Sequence, residues 1–297
     1  MNLDVFLAGY SQPHANLNTL CTENIEELNN YDLKSSQAVI LRHFMKVAGI
    51  PCPWLDEYLD NPEAKAEYAR RVGFTGSGAE DCWKNCLYAL FMGAELPWRT
   101  EKPEEFRSIE SKIYEHVQDL AELQSAYDKF NAVVKPLKSS IEQWHDYLWK
   151  DFAKNPANLR LSGGKEFVRN ACGMPFCVTP SDFKRGTINK LKRELAAHLL
   201  QGQEACAIHH LTILGKELAE KGKPPIYTPI GNEHDGLIVI GEIPDRAFEL
   251  AKERSGLPAD AVLVKKNDFS ENSAGLLLNE NWADLPKLNI IIDGEPV

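Results

Sequence analysis

The sequence predicts an α+β protein in which a small antiparallel sheet is backed by helices. Through most of the chain, apolar residues recur at intervals of three or four, a spacing that is typical of amphipathic helices. The last third changes character, because short runs rich in Ile and Val, bounded by turn residues, alternate with one further helix. Short connections of this kind favour antiparallel pairing of the strands.

The first part of the chain predicts a strand end followed by three helices. Helices are expected over residues 36–47, 61–71 and 79–92, where apolar side chains share one face. A proline in the first turn opens the second helix, and the glycine-rich segment 73–78 follows its end. Asp32 therefore lies just before a helix, at the expected end of a strand.

The middle of the chain predicts an antiparallel pair of helices. The apolar stripe that begins after Pro103 has the spacing of a long helix, which Pro136 is expected to end. A second helix is expected over residues 139–154, so that the two form a hairpin. Helix returns over 187–220, with Gly202 as a candidate break.

The end of the chain predicts the sheet. Residues 226–228 and 237–240 have strand composition and predict a hairpin with its turn at 231–232. A helix is expected over 244–255, with a proline at its start and a glycine after its end. A further strand is expected over 261–264.

Composition and charge exclude several classes of protein. The 297 residues contain no apolar run long enough to span a membrane, and the N-terminus lacks the basic start of a signal peptide. The seven cysteines are odd in number and scattered, which favours reduced thiols over a disulfide framework. We therefore expect a cytoplasmic protein without a membrane partner, in a bacterial or phage-infected cell. The net charge of −10 restricts any nucleic-acid contact to a local basic surface.

Two isolated aspartates, Asp32 and Asp235, have Lys84 between them in sequence and suit a site that holds metal ions against a triphosphate. Two-metal catalysis uses carboxylates that clamp the attacking and the leaving oxygens, and phosphoryl transfer needs the positive charge that a lysine supplies. Each residue has an ordinary alternative. Asp32 can cap a helix, Asp235 can sit in a hairpin turn beside Gly236, and a helical lysine is commonly solvated.

Four short segments follow one another in a fixed order along the chain. They are Asp32 with Ser35, Ser36 and Gln37; Lys84 with Tyr88 and Gly93; Gln201-Gly202; and His234-Asp235-Gly236. In this order and at this spacing they resemble the palm and fingers of the family A DNA polymerases and of their relatives, the single-subunit phage and mitochondrial RNA polymerases. The resemblance covers roughly residues 30–95 and 195–265.

The resemblance implies a right-hand polymerase palm with helical fingers and a helical-hairpin insertion. Its expected parts are the first part of the palm over 1–48, the fingers over 49–102, the hairpin insertion and a loop over 103–186, and the second part of the palm over 187–297. No thumb or exonuclease domain is recognised in the sequence. One expected partner is therefore a protein that supplies a thumb or clamp.

The resemblance also implies a role for individual residues. Asp32 and Asp235 would hold two Mg²⁺ ions, with Mn²⁺ as an alternative, on adjacent strands that face one cleft. The expected nucleotide-binding residues are Lys84, Tyr88, Gln37, Ser35, Ser36 and Arg71. Arg71 or its neighbour Arg70 would stand in for an arginine that the family places where Glu80 lies here. The expected nucleic-acid-binding residues of the motifs are Gln201, His234 and Gly93.

A basic stretch near the start of the helix over 187–220 is a further candidate for nucleic-acid contact. No acidic residue lies between Lys184 and Arg193, and Lys190, Lys192 and Arg193 are its expected phosphate contacts. The ordinary alternative is a solvated helix face.

The function implied is template-directed nucleotidyl transfer, with a template–primer and nucleoside triphosphates as partners. A minimal DNA polymerase is favoured, because Gln37 lies five residues after Asp32, where the DNA polymerases of this family place a Glu that blocks the 2′-hydroxyl. The alternative within the superfamily is a small RNA polymerase or primase. The alternative from another class is a non-catalytic replication or scaffold protein that binds nucleic acid.

Overall fold

The computed structural model describes most of the chain. The described residues are 28–96, 102–154, 168–176, 188–233, 235–266, 291–292 and 295–296. His234, Lys184 and Arg185 lie outside them, as do residues 1–27.

Helices make up most of the described part. The α-helices are α1 (Ser36–Val47), α2 (Pro53–Asp60), α3 (Ala64–Val72), α4 (Ala79–Phe91), α5 (Ser108–Val117), α6 (Leu120–Lys154), α7 (Ile188–Glu217) and α8 (Asp245–Ser255), with a 3₁₀ turn over Pro103–Glu105. The strands are β1 (Leu28–Leu33), β2 (Val168–Arg169), β3 (Pro175–Phe176), β4 (Thr228–Glu233), β5 (Gly236–Ile240), β6 (Leu263–Lys266), β7 (Ile291–Ile292) and β8 (Glu295–Pro296).

Four of these strands form one small antiparallel sheet in the order β4-β5-β1-β6. The first strand in sequence is therefore an inner strand, paired on both sides with strands from the end of the chain. Helices α7 and α1 pack against each other, and α7 also contacts β4 and β5, so helices back the sheet. The predicted α+β class with a small antiparallel sheet backed by helices is confirmed.

One hydrophobic core joins the sheet to the surrounding helices. It includes Tyr31 and Leu33 of β1, Trp83 of α4, Phe130 of α6 and Ala247 of α8. A smaller cluster forms where Phe176 of β3 packs beside the first turns of α7. The division of the chain at residues 48, 102 and 186 stays a prediction about functional parts.

The helices that local pattern predicts begin and end close to the expected residues. Helix α1 spans the predicted 36–47, and α8 begins after Pro244 and ends before Gly256. Gly256 has a φ of 69°, the left-handed conformation in which a helix commonly ends at glycine. Local signals suffice here because each helix buries one continuous apolar stripe.

The predicted helical hairpin was wrong in its break point. Helix α5 ends at Gln118, whose φ of 55° is left-handed. Helix α6 then runs for 35 residues and includes Pro136. A proline inside a helix removes one hydrogen bond and costs roughly 3 kcal/mol. Burial on either side of it, with Val134 and Leu137 fully enclosed, offsets that cost.

Two other predicted breaks were also wrong. Helix α7 continues through Gly202, where a Cβ atom would come within 2.2 Å of the Asn170 amide nitrogen, so the glycine serves close packing. The predicted turn at 231–232 lies inside β4, which shifts register between Pro229 and Gly231. The reversal falls later, between Glu233 and Gly236, and contains Asp235, which the sequence had also placed at the turn.

No helix of the described ranges has the length and apolarity needed to cross a membrane. The expected cytoplasmic location stays a prediction.

Candidate active site

The two aspartates singled out by the sequence meet at one end of the sheet. Asp32 is the penultimate residue of β1 and pairs with Gly236, the first residue of β5. Asp235 directly precedes that glycine, and the Leu33 backbone N–H donates to its carbonyl oxygen at 2.9 Å. The sequence placed both aspartates on adjacent strands; the strands β1 and β5 are adjacent, but only Asp32 lies on one of them, and Asp235 lies in the turn before β5. The two residues are neighbours although 203 residues separate them in sequence.

The carboxyl groups of these two residues influence each other electrostatically. Burial raises the pKa of Asp235, and the negative charge of Asp32 raises it further. A backbone hydrogen bond and the ammonium groups of Lys84 and Lys266 oppose the rise. A second carboxylate and two lysines thus influence the pKa of one partly buried carboxyl group, that of Asp235. We call Asp32, Asp235, Lys84 and Lys266 the aspartate corner.

Lysines surround the aspartates on two sides. The Lys266 Nζ lies 3.0 Å from Asp32 Oδ2, and the Asp32 side chain is only 16% exposed. Lys84 of α4 places its Nζ 5.3 Å from the centre of the Tyr88 ring one turn along the helix. Lys65 of α3 is half-buried, and its pKa is lowered by burial and next by the charge of Lys84. Two cationic side chains on neighbouring helices therefore lie beside the corner.

Tyr88 joins the corner to the interior of the protein. Burial raises the pKa of its phenol, and the charges of Asp235 and Glu204 raise it further. The phenol consequently stays protonated at neutral pH and can donate a hydrogen bond. Its ring faces the Lys84 ammonium, so ring and cation present a combined stacking and charged surface.

The start of α1 adds backbone donors beside Asp32. Ser35 caps this helix in the left-handed conformation (φ 51°) without a side-chain hydrogen bond to the helix, and no acidic residue occupies the first turn. The first N–H groups of a helix have no partner within the helix and favour an anion. Gln37 adds a buried Oε1 atom that accepts no hydrogen bond from the described residues.

A buried carboxylate holds this helix start in place. Glu204 of α7 is 5% exposed and accepts a hydrogen bond from the hydroxyl of Ser36, which is 2% exposed. The contact links α7 to the first turn of α1 across 168 residues of sequence. Ser36 is therefore enclosed, and its hydroxyl is used inside the protein.

Among the described residues, no group of three or more His, Cys, Asp and Glu side chains is arranged to hold a metal ion. The aspartate corner offers two carboxylates as possible metal ligands. This set suits Mg²⁺, which takes oxygen ligands, keeps several waters and commonly shares one or two carboxylates with substrate phosphates. The charge of Asp32 raises the pKa of Asp235, and a divalent cation between the two would relieve that repulsion.

Other residues predicted for nucleotide or nucleic-acid contact have different surroundings. Arg71 is exposed, lies 3.9 Å from Glu67 and covers the Tyr68 ring at 5.0 Å. Gln201 is exposed on α7. Gly93 packs so closely on Arg193 that a Cβ atom would come within 2.7 Å of that side chain. Their proposed contacts with nucleotide or nucleic acid stay predictions.

The basic face of α7, which we define as Lys190, Lys192 and Arg193, is matched by acids. Each side chain has one carboxylate partner within ion-pair distance: Lys190 with Glu194 at 3.5 Å, Lys192 with Asp146 at 2.6 Å and Arg193 with Glu95 at 2.9 Å. Two of these pairs join α7 to other parts of the fold. Nucleic-acid contact by this face stays a prediction.

Three residues near the site were not assigned a role from the sequence. Glu204 directly precedes the apolar run Ala205–Ile208 of α7, and a charge beside such a run is a usable signal of a buried, paired group. Lys65 has the ordinary appearance of a helical lysine. Lys266 is the last residue of the short strand β6, and only the pairing of β6 with β1 brings it to Asp32.

Comparison with known proteins gives a likeness to solved structures and none at the level of sequence. No protein-family model matches this chain, and no curated protein matches its sequence. Among solved structures the chain is similar to the POL domain of Pol1 from M. smegmatis in complex with DNA primer-template and dNTP. The TM-score is 0.48 at 12% identity, over 80% of this chain and 39% of that chain. This chain thus spans about two fifths of that structure's length, and the bound DNA and dNTP belong to that complex.

Proposed function

We propose that this protein is a template-directed nucleotidyltransferase and that the aspartate corner is its catalytic centre. The observation that carries the proposal is that Asp32 lies on β1 and Asp235 directly precedes the paired strand β5, so that the charge of Asp32 adds to burial in raising the pKa of Asp235. A carboxyl group with a raised pKa, beside a second carboxylate, helix N–H groups and lysines, suits a reaction on phosphates. The reaction is attack of a primer 3′-hydroxyl on the α-phosphate of a nucleotide, with release of pyrophosphate.

Asp32 and Asp235 would hold two Mg²⁺ ions, with Mn²⁺ as an alternative. When bound, the ions activate the 3′-hydroxyl and neutralise charge on the leaving pyrophosphate. In this proposal Asp32 and Asp235 are the catalytic residues, since both contact the ions.

The side chains around the corner would bind the nucleotide. Lys84 supplies positive charge to the triphosphate, and the protonated Tyr88 packs on the incoming sugar and base. The N–H groups at the start of α1, beside Ser35, bind phosphate oxygens, and the Glu204–Ser36 contact keeps that start in place. Lys65 adds a second cation on α3, where Arg71 was the sequence-based candidate.

The nucleotide sugar would be read by Gln37. Its Oε1 is buried and accepts no hydrogen bond from the described residues, so it is available to an O–H or N–H group of a ligand. The DNA polymerases of the family that the sequence resembles have a Glu at this position that blocks the 2′-hydroxyl, and we propose a deoxynucleotide substrate on that basis. A faster reaction with ribonucleotides would instead support a small RNA polymerase or primase.

Primer extension tests the proposal. The wild-type protein is incubated with primed DNA, Mg²⁺ and each of the four nucleotides, in the deoxy and the ribo form. We expect extension by wild type, and a loss of at least about 10²-fold in Asp32→Asn and in Asp235→Asn, the order found when one contact to the reacting atoms is removed.

The matched control is Asp128→Asn, which changes an exposed carboxylate on α6 that accepts hydrogen bonds from Gln124. It should extend the primer as wild type does. Wild-type rates in either Asp32→Asn or Asp235→Asn would overturn the proposal. Binding of primed DNA without extension by the wild-type protein would favour the non-catalytic alternative.

A further inference from the structure

The pairing of β6 with β1 brings Lys266 into contact with Asp32, one of the proposed metal ligands. Asp32 lies opposite Val264, and Lys266 lies opposite Asn30. Residues two apart on a strand project to the same face, so Lys266 and Asp32 are diagonal neighbours on one face of the sheet. The Lys266 Nζ contacts Asp32 Oδ2 at 3.0 Å, and their side chains are 36% and 16% exposed.

The preceding residue of the same strand provides the contrast. Lys265 projects to the other face, where its Nζ lies 2.8 Å from Glu242 Oε1. Both members of that pair are well exposed, and exposed pairs of this kind contribute little. Two consecutive lysines of β6 thus differ in one respect that matters here: Lys266 shares its carboxylate partner with the proposed metal site, and Lys265 does not.

We propose that Lys266 is a built-in counter-ion of Asp32 that competes with the divalent cation for this carboxylate. This inference rests on the proposed function, since it takes Asp32 as a metal ligand. Without metal, the ammonium offsets the repulsion between two close carboxylates. With metal, the ammonium must leave Asp32 or remain as a like charge beside a divalent cation, and both outcomes weaken metal binding. Lys266 therefore sets the metal concentration at which the site fills.

The competition predicts a direction for two variants. Lys266→Met keeps the length and the apolar stem of the side chain but removes the charge, so it should bind Mg²⁺ more tightly than wild type. We expect a gain of at least about fivefold, the lower end of the usual coupling between two bound groups. Lys266→Arg keeps the charge and should bind metal about as weakly as wild type does.

The test is a titration of the purified protein with MgCl₂. Calorimetry measures the affinity, and thermal unfolding measures the rise in Tm that the metal causes. Lys265→Met is the matched control and should leave metal affinity unchanged. Circular dichroism of each metal-free variant confirms that it is folded. The Tm readout also tests the resting role, because metal-free Lys266→Met should unfold at a lower temperature than wild type and gain more from Mg²⁺.

The outcomes separate this inference from the proposed function. Unchanged affinity in Lys266→Met, with metal binding that Asp32→Asn abolishes, would overturn the role of Lys266 and leave the metal site standing. Metal binding by Lys266→Met where wild type shows none would support the inference. Absence of metal binding in both proteins would overturn the inference together with the metal site. Equal gains in Lys266→Met and Lys265→Met would also overturn it, because a general change in surface charge would then be the cause.

Discussion

The aspartate corner and the basic face of α7 are two charged regions built in opposite ways. At the corner, burial and then the charge of Asp32 raise the pKa of Asp235. Beside it, burial and then the charge of Lys84 lower the pKa of Lys65, so like charges lie close together in a partly buried place. On the basic face, each cation has an acidic partner within ion-pair distance. At the corner, the lysines offset the repulsion between the carboxylates only in part, whereas on the basic face each cation is paired with an acid.

This difference indicates what each region contributes. Like charges held together oppose folding, and proteins keep such arrangements mainly where a ligand or a reaction uses them. Matched pairs between a helix and its neighbours position the helix at little cost. The Arg193–Glu95 pair, for example, also involves Arg107, whose Nη1 lies 2.7 Å from the other Glu95 oxygen. We therefore expect changes at the corner to affect chemistry and changes on the basic face to affect packing.

The largest difference in activity between the two regions is expected at Lys84. Lys84→Met should lower kcat/KM for the incoming nucleotide roughly 10- to 100-fold, the range for a lost hydrogen bond to a charged group. Lys65→Met should lower it less, because Lys84 remains. Lys190→Met, on the basic face, is the control and should stay within about twofold of wild type. Steady-state single-nucleotide addition measures all three, and an equal loss in Lys190→Met would remove the distinction.

A smaller effect is expected at Asp235, where the same substitution should remove activity and raise the Tm. The pKa of this carboxyl is raised in the folded protein, so the folded state binds the proton more tightly than the unfolded state. Its contribution to stability is therefore full below the unfolded-state pKa and is lost as pH rises through the folded-state pKa. Asp235→Asn, which should be inactive, should consequently have a higher Tm than wild type at neutral pH.

Thermal unfolding at a series of pH values checks this prediction. The advantage of Asp235→Asn over wild type should shrink as the pH is lowered, because the wild-type carboxyl then takes up its proton. Asp60→Asn is the control, since it removes an exposed carboxylate 3.4 Å from Arg42, and it should give no gain in Tm. A lower Tm for Asp235→Asn at neutral pH would show that the carboxylate supports the fold.

The same contrast explains how far the sequence could predict the molecule. Helix α1 and helix α8 were predicted because the signals that begin and end them lie within a few residues. Pro136 misled because its local penalty is offset by burial of Val134 and Leu137 against other parts of the chain. Local rules carry no information about that burial, so a long helix was divided in the wrong place.

At the site, motif order predicted that the two aspartates lie close together, whereas it did not predict their charged partners; the catalytic role of the aspartates stays a prediction. Asp32 and Asp235 belong to segments that resemble a known family. Lys266 reaches Asp32 only through the register of β6 on β1, across 234 residues of sequence. The acids that neutralise Lys192 and Arg193 are likewise distant in sequence, so the basic stretch looked more available than it is.

The smallest effect is expected for nucleic-acid binding by the basic face, and it separates the three cations from one another. Lys190 has a side chain that is 66% exposed, and its partner Glu194 lies one turn along the same helix, an arrangement that contributes only about 0.3–0.5 kcal/mol. It can leave that partner for a phosphate easily. Lys192 and Arg193 would each give up a contact that joins α7 to another part of the fold.

We therefore expect Lys190→Ala to lower the slope of log K against log salt by about 0.7–0.9, the value for one lost phosphate contact. Lys192→Ala should change the slope less. Lys192 must break its ion pair with Asp146 before it can bind a phosphate, so its phosphate contact contributes less in the wild type. Fluorescence anisotropy of a labelled primer–template at several salt concentrations measures both slopes. An unchanged slope in Lys190→Ala would mean that this face serves packing alone, and template binding would then have to come from the cations around the aspartate corner.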